Sequence, residues 1–369
     1  MPSRSSLTHA TLARWRLRHQ MLTGSPCGDP VEVMRRLGAV QAQDYPGATW
    51  ALWLRLIPGT TRAEIEGAFD RGEILRTHVL RPTWHFVTPA DIRWMLRLTG
   101  PRILASSRSV HVRHGLDART LSRAMGALQR ALEGGQYLDR EGVRLALKRA
   151  RVPCPDVQRF SHLMMIAECD VLVCSGPKIG TKLTYALLDE RAPAGAPRPS
   201  REDSVRELAR RYYLTHGPAT ANDFAVWSGL TLTDARTALA EQGDLFTSAQ
   251  LDGKQWWFPH ELPTPARGVV ARLIPNYDEY YIGFKHRAPL LARLRTAGVS
   301  LTLQQLLGNL IVVDGQIVGN WRRGTAAKAT TLNLAPAVAL TTRERAAVAR
   351  EVPRLEAFLG VALTVRWTG

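Results

Sequence analysis

Apolar positions recur along this chain with two periods. A spacing of three to four residues marks helices, and an alternation of two marks strands. Thr8 to His19 reads as a helix. Asp29 is placed to cap a second helix that has Pro30 at its first position and runs to Leu37. Thr61 to Phe69 reads as a third. Ile74–Leu80 and Thr83–Val87 then alternate as strands around Arg81-Pro82, and Thr88-Pro89-Ala90-Asp91 opens another helix. The order returns after Asp117: helix Leu121–Leu132, Asp139 capping Val143–Ala150, helix Ser161–Glu168, and a hairpin from Val171–Val173 back to Leu183–Ala186. It returns again with helix Val205–Thr215, helix and turn over Thr220–Leu230, helix Thr233–Gln242, and a hairpin Leu245–Trp257 around the turn signal Asp252-Gly253.

Helices followed by a two-stranded hairpin describe a winged helix-turn-helix, so the pattern predicts three in tandem. After Pro263 it changes. Val269–Ile274, Leu310–Trp321 with its Asp314-Gly315 turn, Thr330–Leu334 and Leu363–Trp367 read as strands, with one helix over Thr342–Leu359. The expected fold class is therefore α+β. The expected division is 1–100, 101–192 and 200–262 for the winged helices and 268–369 for a small β-rich C-terminal domain. Ala192–Pro199 is rich in Pro and Ala and reads as a linker.

Composition sharpens the picture. The 369 residues suit two or three domains, and 45 % apolar against 22 % charged residues argues against disorder. The formal net charge of +17 favours an anionic partner, nucleic acid before an anionic membrane surface. Arginine supplies 43 of the 49 basic residues, so GC-rich coding is the competing explanation. Residues 101–150 hold ten Lys/Arg against four Asp/Glu, whereas 201–250 hold five against seven, which points to a one-sided basic surface. No stretch approaches the roughly 20 apolar residues of a membrane helix. Met1–Gln20 is basic without an apolar segment, unlike a signal peptide. Cys27, Cys154, Cys169 and Cys174 form no CxxC pair, so zinc is not expected and a reducing cytoplasm is.

Covalent, phosphoryl-transfer, zinc and dinucleotide motifs are missing in any usable context, so neither a metal nor a cofactor is expected. The unusual segment is Leu37-Gly38-Ala39-Val40-Gln41-Ala42-Gln43-Asp44-Tyr45-Pro46-Gly47. An apolar helix end runs into two glutamines at i and i+2, then a turn. If extended, Gln41 and Gln43 project to one side, and a pair of amides can hold a water. A polar turn that satisfies its own backbone is the plainer explanation of the same residues.

Gln41-Ala42-Gln43-Asp44 resembles the Gln-apolar-Gln motif of the AlkZ-like winged-helix DNA glycosylases. Three further segments agree in order along nearly the whole chain: Leu80-Arg81-Pro82-Thr83-Trp84-His85-Phe86-Val87, then Asn276 to Arg287 with its Tyr277-Asp278-Glu279-Tyr280 core, then Val313 to Arg322 with Gly319-Asn320-Trp321-Arg322. Pro82 stands where a small residue is more usual in that family.

The resemblance implies a basic concave DNA channel and hydrolysis of the N-glycosidic bond of alkylated purines, bulky or cross-linked adducts included. It makes Gln41 and Gln43 the catalytic pair. Arg81, Thr83, His85, Arg322 and Arg323 become candidate DNA contacts, and Asp44, Asp278 and Glu279 candidate supports behind the pair, with a structural role in a Tyr-rich turn as the plainer explanation of Asp278-Glu279. Arg108 and Arg113 belong to the basic run Arg102–His114, which either lines phosphates or forms a solvated face. The implied chemistry suits amides. A cationic purine is already a good leaving group, and oriented dipoles can position a water and face a sugar cation. Gln is no strong base, so neutral lesions such as uracil are expected to resist. Bulk is expected to be tolerated because such a channel need not flip the base into a tight pocket. The expected partner is double-stranded DNA carrying alkylated purines, bound by a monomer, with repair or self-resistance to a genotoxin as the setting. A DNA-binding protein without chemistry, a regulator or an architectural protein, stays open beside this reading. So, more weakly, does an enzyme of another class.

Overall fold

Helix α1 (His9–His19) begins where the Thr8 hydroxyl accepts the N–H of Thr11 at 3.1 Å. It belongs to a computed structural model that describes residues 7–193, 195, 199–261, 268–326 and 329–368. The start of the Met1–Gln20 segment, half of the Ala192–Pro199 linker and the boundary near Pro263 lie outside those residues.

Past α1 a first unit follows. It consists of α2 (Pro30–Leu37), β1 (Val40–Gln41), α3 (Tyr45–Trp53), α4 (Arg62–Arg71), β2 (Leu75–His78) and β3 (Trp84–Val87), with sheet order β1-β3-β2. Asp29 caps α2 with Pro30 in its first turn, and Thr61 and Glu64 form a capping box on α4. Helices α5 (Pro89–Ser106) and α6 (Arg108–Arg113) lead to a second unit with the same order. It is built from α7 (Ala118–Leu132), β4 (Leu138–Asp139), α8 (Arg140–Arg149), α9 (Val157–Cys169), β5 (Val173–Ser175) and β6 (Thr184–Leu187), its strands ordered β4-β6-β5. After α10 (Leu188–Arg191) comes the third unit: α11 (Arg201–His216), α12 (Ala221–Ser228), α13 (Leu232–Ala240), β7 (Phe246–Leu251) and β8 (Lys254–Pro259). Its first strand shrinks to Ala219, which bridges Trp257 of β8. In all three the segment after the first helix pairs with the last strand of the hairpin.

The C-terminal part is a five-stranded sheet of β9 (Ala271–Ile274), β10 (Leu310–Val313), β11 (Gln316–Ala326), β12 (Ala329–Pro336) and β13 (Leu363–Trp367), ordered β13-β12-β11-β10-β9. Only the β12–β13 pair is parallel. It carries more helix than expected: α14 (Glu279–Ile282), α15 (Ala288–Thr296), α16 (Leu303–Leu306), α17 (Thr342–Ala349) and α18 (Val352–Leu359). The single helix expected over Thr342–Leu359 is two. Pro353, which has no N–H to give, sits in the first turn of the second.

One difference falls on the glutamine motif. After the helix that ends at Leu37, Val40–Gln41 is extended as a short strand, but Asp44-Tyr45-Pro46-Gly47 opens α3 rather than forming a loop turn. Helix α3 buries nearly every residue from Tyr45 to Trp53, so it lacks the one-sided period that marks a surface helix.

The core explains why the units hold together. One apolar cluster runs through the first unit, the third unit and the C-terminal sheet, while the second unit has a core of its own. Trp50 of α3 donates its indole N–H to Leu273 of β9 at 2.7 Å, and Arg55 forms a buried pair with Asp278 at 2.8 Å. Each fully buried large apolar side chain is worth about 1.5–3 kcal/mol against a total stability of about 5–15 kcal/mol. A cut at Pro199 removes Leu273, Ile274, Leu310 and Phe358 from that cluster. Fragment 1–199 is therefore expected to lose cooperative melting and base excision together. Full excision by that fragment would show that the shared core is dispensable.

Candidate active site

The Gln41-Ala42-Gln43 segment is held from every side. On β1, Gln41 lies opposite His85 of β3, and Thr77 of β2 lies opposite His85, so the three side chains share one face of the sheet. The Gln41 N–H donates to Glu279 Oε1 at 2.8 Å, and Arg81 donates to the Gln41 amide oxygen at 3.1 Å. The Ala42 N–H donates to the Trp84 carbonyl at 2.7 Å, and the Ala42 carbonyl accepts from Arg76 Nε at 2.9 Å. Gln43 lies past the strand end and is exposed, with its amide oxygen 3.5 Å from the Trp84 N–H. The two amides are thus unequal. Gln41 is buried and has its oxygen committed to a guanidinium, whereas Gln43 presents its amide to solvent.

The Arg81 side of this arrangement depends on a tight turn. Leu80 adopts a φ of +64°, the Arg81 N–H donates to Val79, and the Thr83 N–H donates to Arg81. Gly229 of the third unit packs against it. A Cβ at Gly229 would stand 2.1 Å from the Leu80 carbonyl oxygen, and φ there is +70°, so only glycine fits.

Glu279 joins three parts of the molecule. Its second oxygen accepts the Trp227 indole N–H from α12 at 2.9 Å, and His216 of α11 lies 3.7 Å away. Burial works against its charge, but His216 and Arg81 outweigh that and hold the carboxyl well below the ordinary range. Asp278 does not face the amides. It is buried, takes both Arg55 terminal nitrogens at 2.8 and 2.9 Å, and caps α14 through the Tyr280 N–H. Asp44 stands at the start of α3 beside a cavity of about 580 Å³ that Arg322 also lines.

The structure gathers Gln41, Arg81 and Glu279 into one network and leaves Gln43 at its edge. Arg108, Arg113, Arg322 and Arg323 are exposed, and Arg81 and Thr83 are half-buried. His85 departs from expectation: it is fully buried and has no surface to offer DNA. Its Nδ1 lies 2.8 Å from the Thr83 carbonyl, so that nitrogen carries the proton. His85 Nε2, Thr83 Oγ1 and Thr77 Oγ1 are buried without a protein partner. Residue-by-residue reading missed Arg76, Glu168 and Trp227. Arg76 carried the one available signal, a permanent charge inside the apolar run Ile74–Leu80. Among the described residues no cluster of His, Cys, Asp and Glu is arranged to hold a metal, and no helix is long and apolar enough to cross a membrane.

Burial, with Arg81 beside it, pushes His85 from 6.5 down to about 3. The unfolded chain therefore binds the proton more readily, and stability is lost as pH falls from about 6.5 toward 3. His85 alone should remove about 2 kcal/mol by pH 5. Urea unfolding at pH 7 and pH 5 measures this, and His85→Gln should flatten the slope. An unchanged slope would place the acid sensitivity elsewhere.

A basic chain of repeated helix-and-hairpin units, folded around an uncharged amide pair, has the form of an enzyme acting on DNA. The family model for DNA glycosylase AlkZ-like proteins matches residues 34–358, and the chain belongs to that family of DNA glycosylases. Among solved structures, the Streptomyces sahachiroi DNA glycosylase AlkZ shares the fold, with a TM-score of 0.78 over 98 % of this chain and 100 % of that one. Sequence identity is 22 %, so the likeness speaks for the fold. No curated protein matches the chain.

Proposed function

We propose that this glycosylase hydrolyses the N-glycosidic bond of cationic alkylated purines in duplex DNA, including bulky and cross-linking adducts. The exposed Gln43 amide beside the fixed Gln41 amide carries the reading. A water adds its oxygen to C1′ of the sugar while the C1′–N9 bond breaks. The bonding pair moves onto the purine and neutralises its positive charge, and one proton leaves the water for solvent. Gln43 holds the water, and Gln41, its backbone N–H held by Glu279 and its amide oxygen shared with Arg81, offers that oxygen's second lone pair to the sugar as positive charge develops there. No strong base is needed because the leaving group departs neutral. Uracil, which would depart as an anion, should stay in place.

The three repeated units serve as winged helices, and the pairing of each first segment with the hairpin supports that assignment. Arg108, Arg113, Arg322 and Arg323 supply phosphate contacts to a protein that acts as a monomer. The four cysteines are free and buried, which suits a reducing cytoplasm. The protein would act in repair or in protection from a genotoxin.

Alkali cleavage of DNA carrying N7-methylguanine, a bulky N7 adduct or uracil tests the reading. Strand breaks are expected at the first two and not at uracil, and equal cleavage at uracil would overturn it. Binding should depend steeply on salt, with log K falling by about 0.9 per log unit of salt for each phosphate contacted. A salt-independent affinity would remove the basic channel from the account.

A further inference from the structure

Gln43 lines a cavity of about 620 Å³ between the hairpin of the first unit and helices α8 and α9 of the second. Small-molecule sites span roughly 300–1,000 Å³. Its wall carries a charge the catalytic network does not use. Glu168 is 1 % exposed, accepts the His78 backbone N–H at 2.8 Å and also contacts the His78 ring. Its other oxygen accepts the Trp84 indole at 3.3 Å. A carboxylate has about four acceptor sites, so Glu168 keeps capacity for a ligand. Ser175 is buried too. Its oxygen accepts the Arg76 N–H at 2.8 Å, which leaves the hydroxyl proton to donate.

Charge decides against a phosphate. The wall holds Arg76, Arg140 and Lys182 against Asp139, Glu141 and Glu168, an even balance in a chain of +17. Lys182 is further neutralised by Asp139 at 2.8 Å and Glu141 at 3.5 Å. Trp84 is not the stacking platform, because Arg76 and His78 already lie 4.3 and 4.4 Å from its ring centre. Tyr185 supplies another ring of the wall. The cavity therefore offers an anionic acceptor, a hydroxyl donor and an aromatic wall, with a candidate catalytic amide at its lip.

We infer that, for a purine alkylated without a link to the opposite strand, this cavity receives the base turned out of the duplex, together with its substituent, with Glu168 accepting one of the ring's N–H groups and the glycosidic bond left at Gln43; a cross-linked purine stays in the channel. Enzymes that extrude a base read it by hydrogen bonds to its pairing edge, and a guanine edge carries donors suited to a carboxylate. The space is roomy, so a bulky substituent does not exclude the base. This assignment rests on the glycosylase reading.

The test uses the full chain and two variants. Glu168→Gln keeps shape and removes charge. Val157→Trp places a large ring on a wall position that is 58 % exposed, where folding is insensitive. Calorimetry with 7-methylguanosine and single-turnover excision of N7-methylguanine and of a bulky N7-guanine adduct are the readouts. Glu168→Gln should weaken nucleoside binding about tenfold or more. Val157→Trp should abolish that binding and slow release of the bulky adduct about tenfold more than release of the methyl lesion. If the wild type releases both lesions and both variants match it in rate and binding, the cavity is not the purine site and the glycosylase reading stands. If the wild type releases neither lesion but binds 7-methylguanosine in a Glu168-dependent way, the cavity is a purine site and the glycosylase reading falls. With neither release nor binding, both are overturned.

Discussion

Gln43→Ala should slow single-turnover release of N7-alkylguanine by about 100-fold or more, with duplex affinity close to wild type. The cost of losing one preorganised polar group at a developing charge sets that size. Gln43 is exposed and uncharged, so its loss removes neither a core contact nor a phosphate contact. Gln41→Ala should lose as much for another reason. It leaves Arg81 without the amide oxygen 3.1 Å away and frees a cation in the sheet face. That variant should also melt lower, whereas Gln43→Ala should melt like wild type. Gln43→Asp separates the roles further: a carboxylate is a stronger acceptor and faces a sugar cation well, so release of simple methylated purines should persist. Wild-type rates from both Ala variants would put the catalytic site elsewhere.

Glu279→Ala should carry the largest cost in stability, about 3–5 kcal/mol. It strands the Gln41 N–H and the Trp227 indole N–H, both buried at 2.8 and 2.9 Å from the carboxylate, and removes the anion beside Arg81. Because those donors come from the first and third units, β1 should loosen before the separate core of the second unit does. Urea unfolding gives the energy, and excision measured well below the melting point gives the effect on positioning. Glu279→Gln restores one acceptor but turns an N–H₂ toward the other donor, so it should recover only part of both. A Glu279→Ala protein with wild-type unfolding and wild-type excision would show that the carboxylate supports nothing.

The helix caps were legible in the sequence because they are local. Asp29 and Asp139, placed as caps, each accept an N–H three residues on, and Thr61 and Thr220, read as first helix residues, stand one position outside as the caps. The hairpins were legible for the same reason, through alternation and Asp-Gly turns. Helix α3 and strand β1 were not. An all-buried helix shows no period, and a strand of two residues exists only because β3 lies beside it.

The repeated order of elements, the basic charge and the amide pair could be read along the chain, since each is written in neighbouring residues or in composition. What the pair touches follows from contacts far apart in the chain. Glu279 lies 238 positions from Gln41, and Trp227 lies 52 from Glu279. No local pattern announces partners that distant. They meet because the first unit, the third unit and the C-terminal sheet close over one apolar core. The same closure sends His85 inward, where alternation alone could not say which face of β3 would be covered. It also leaves Gln43 outside, at the lip of a cavity whose far wall belongs to another unit.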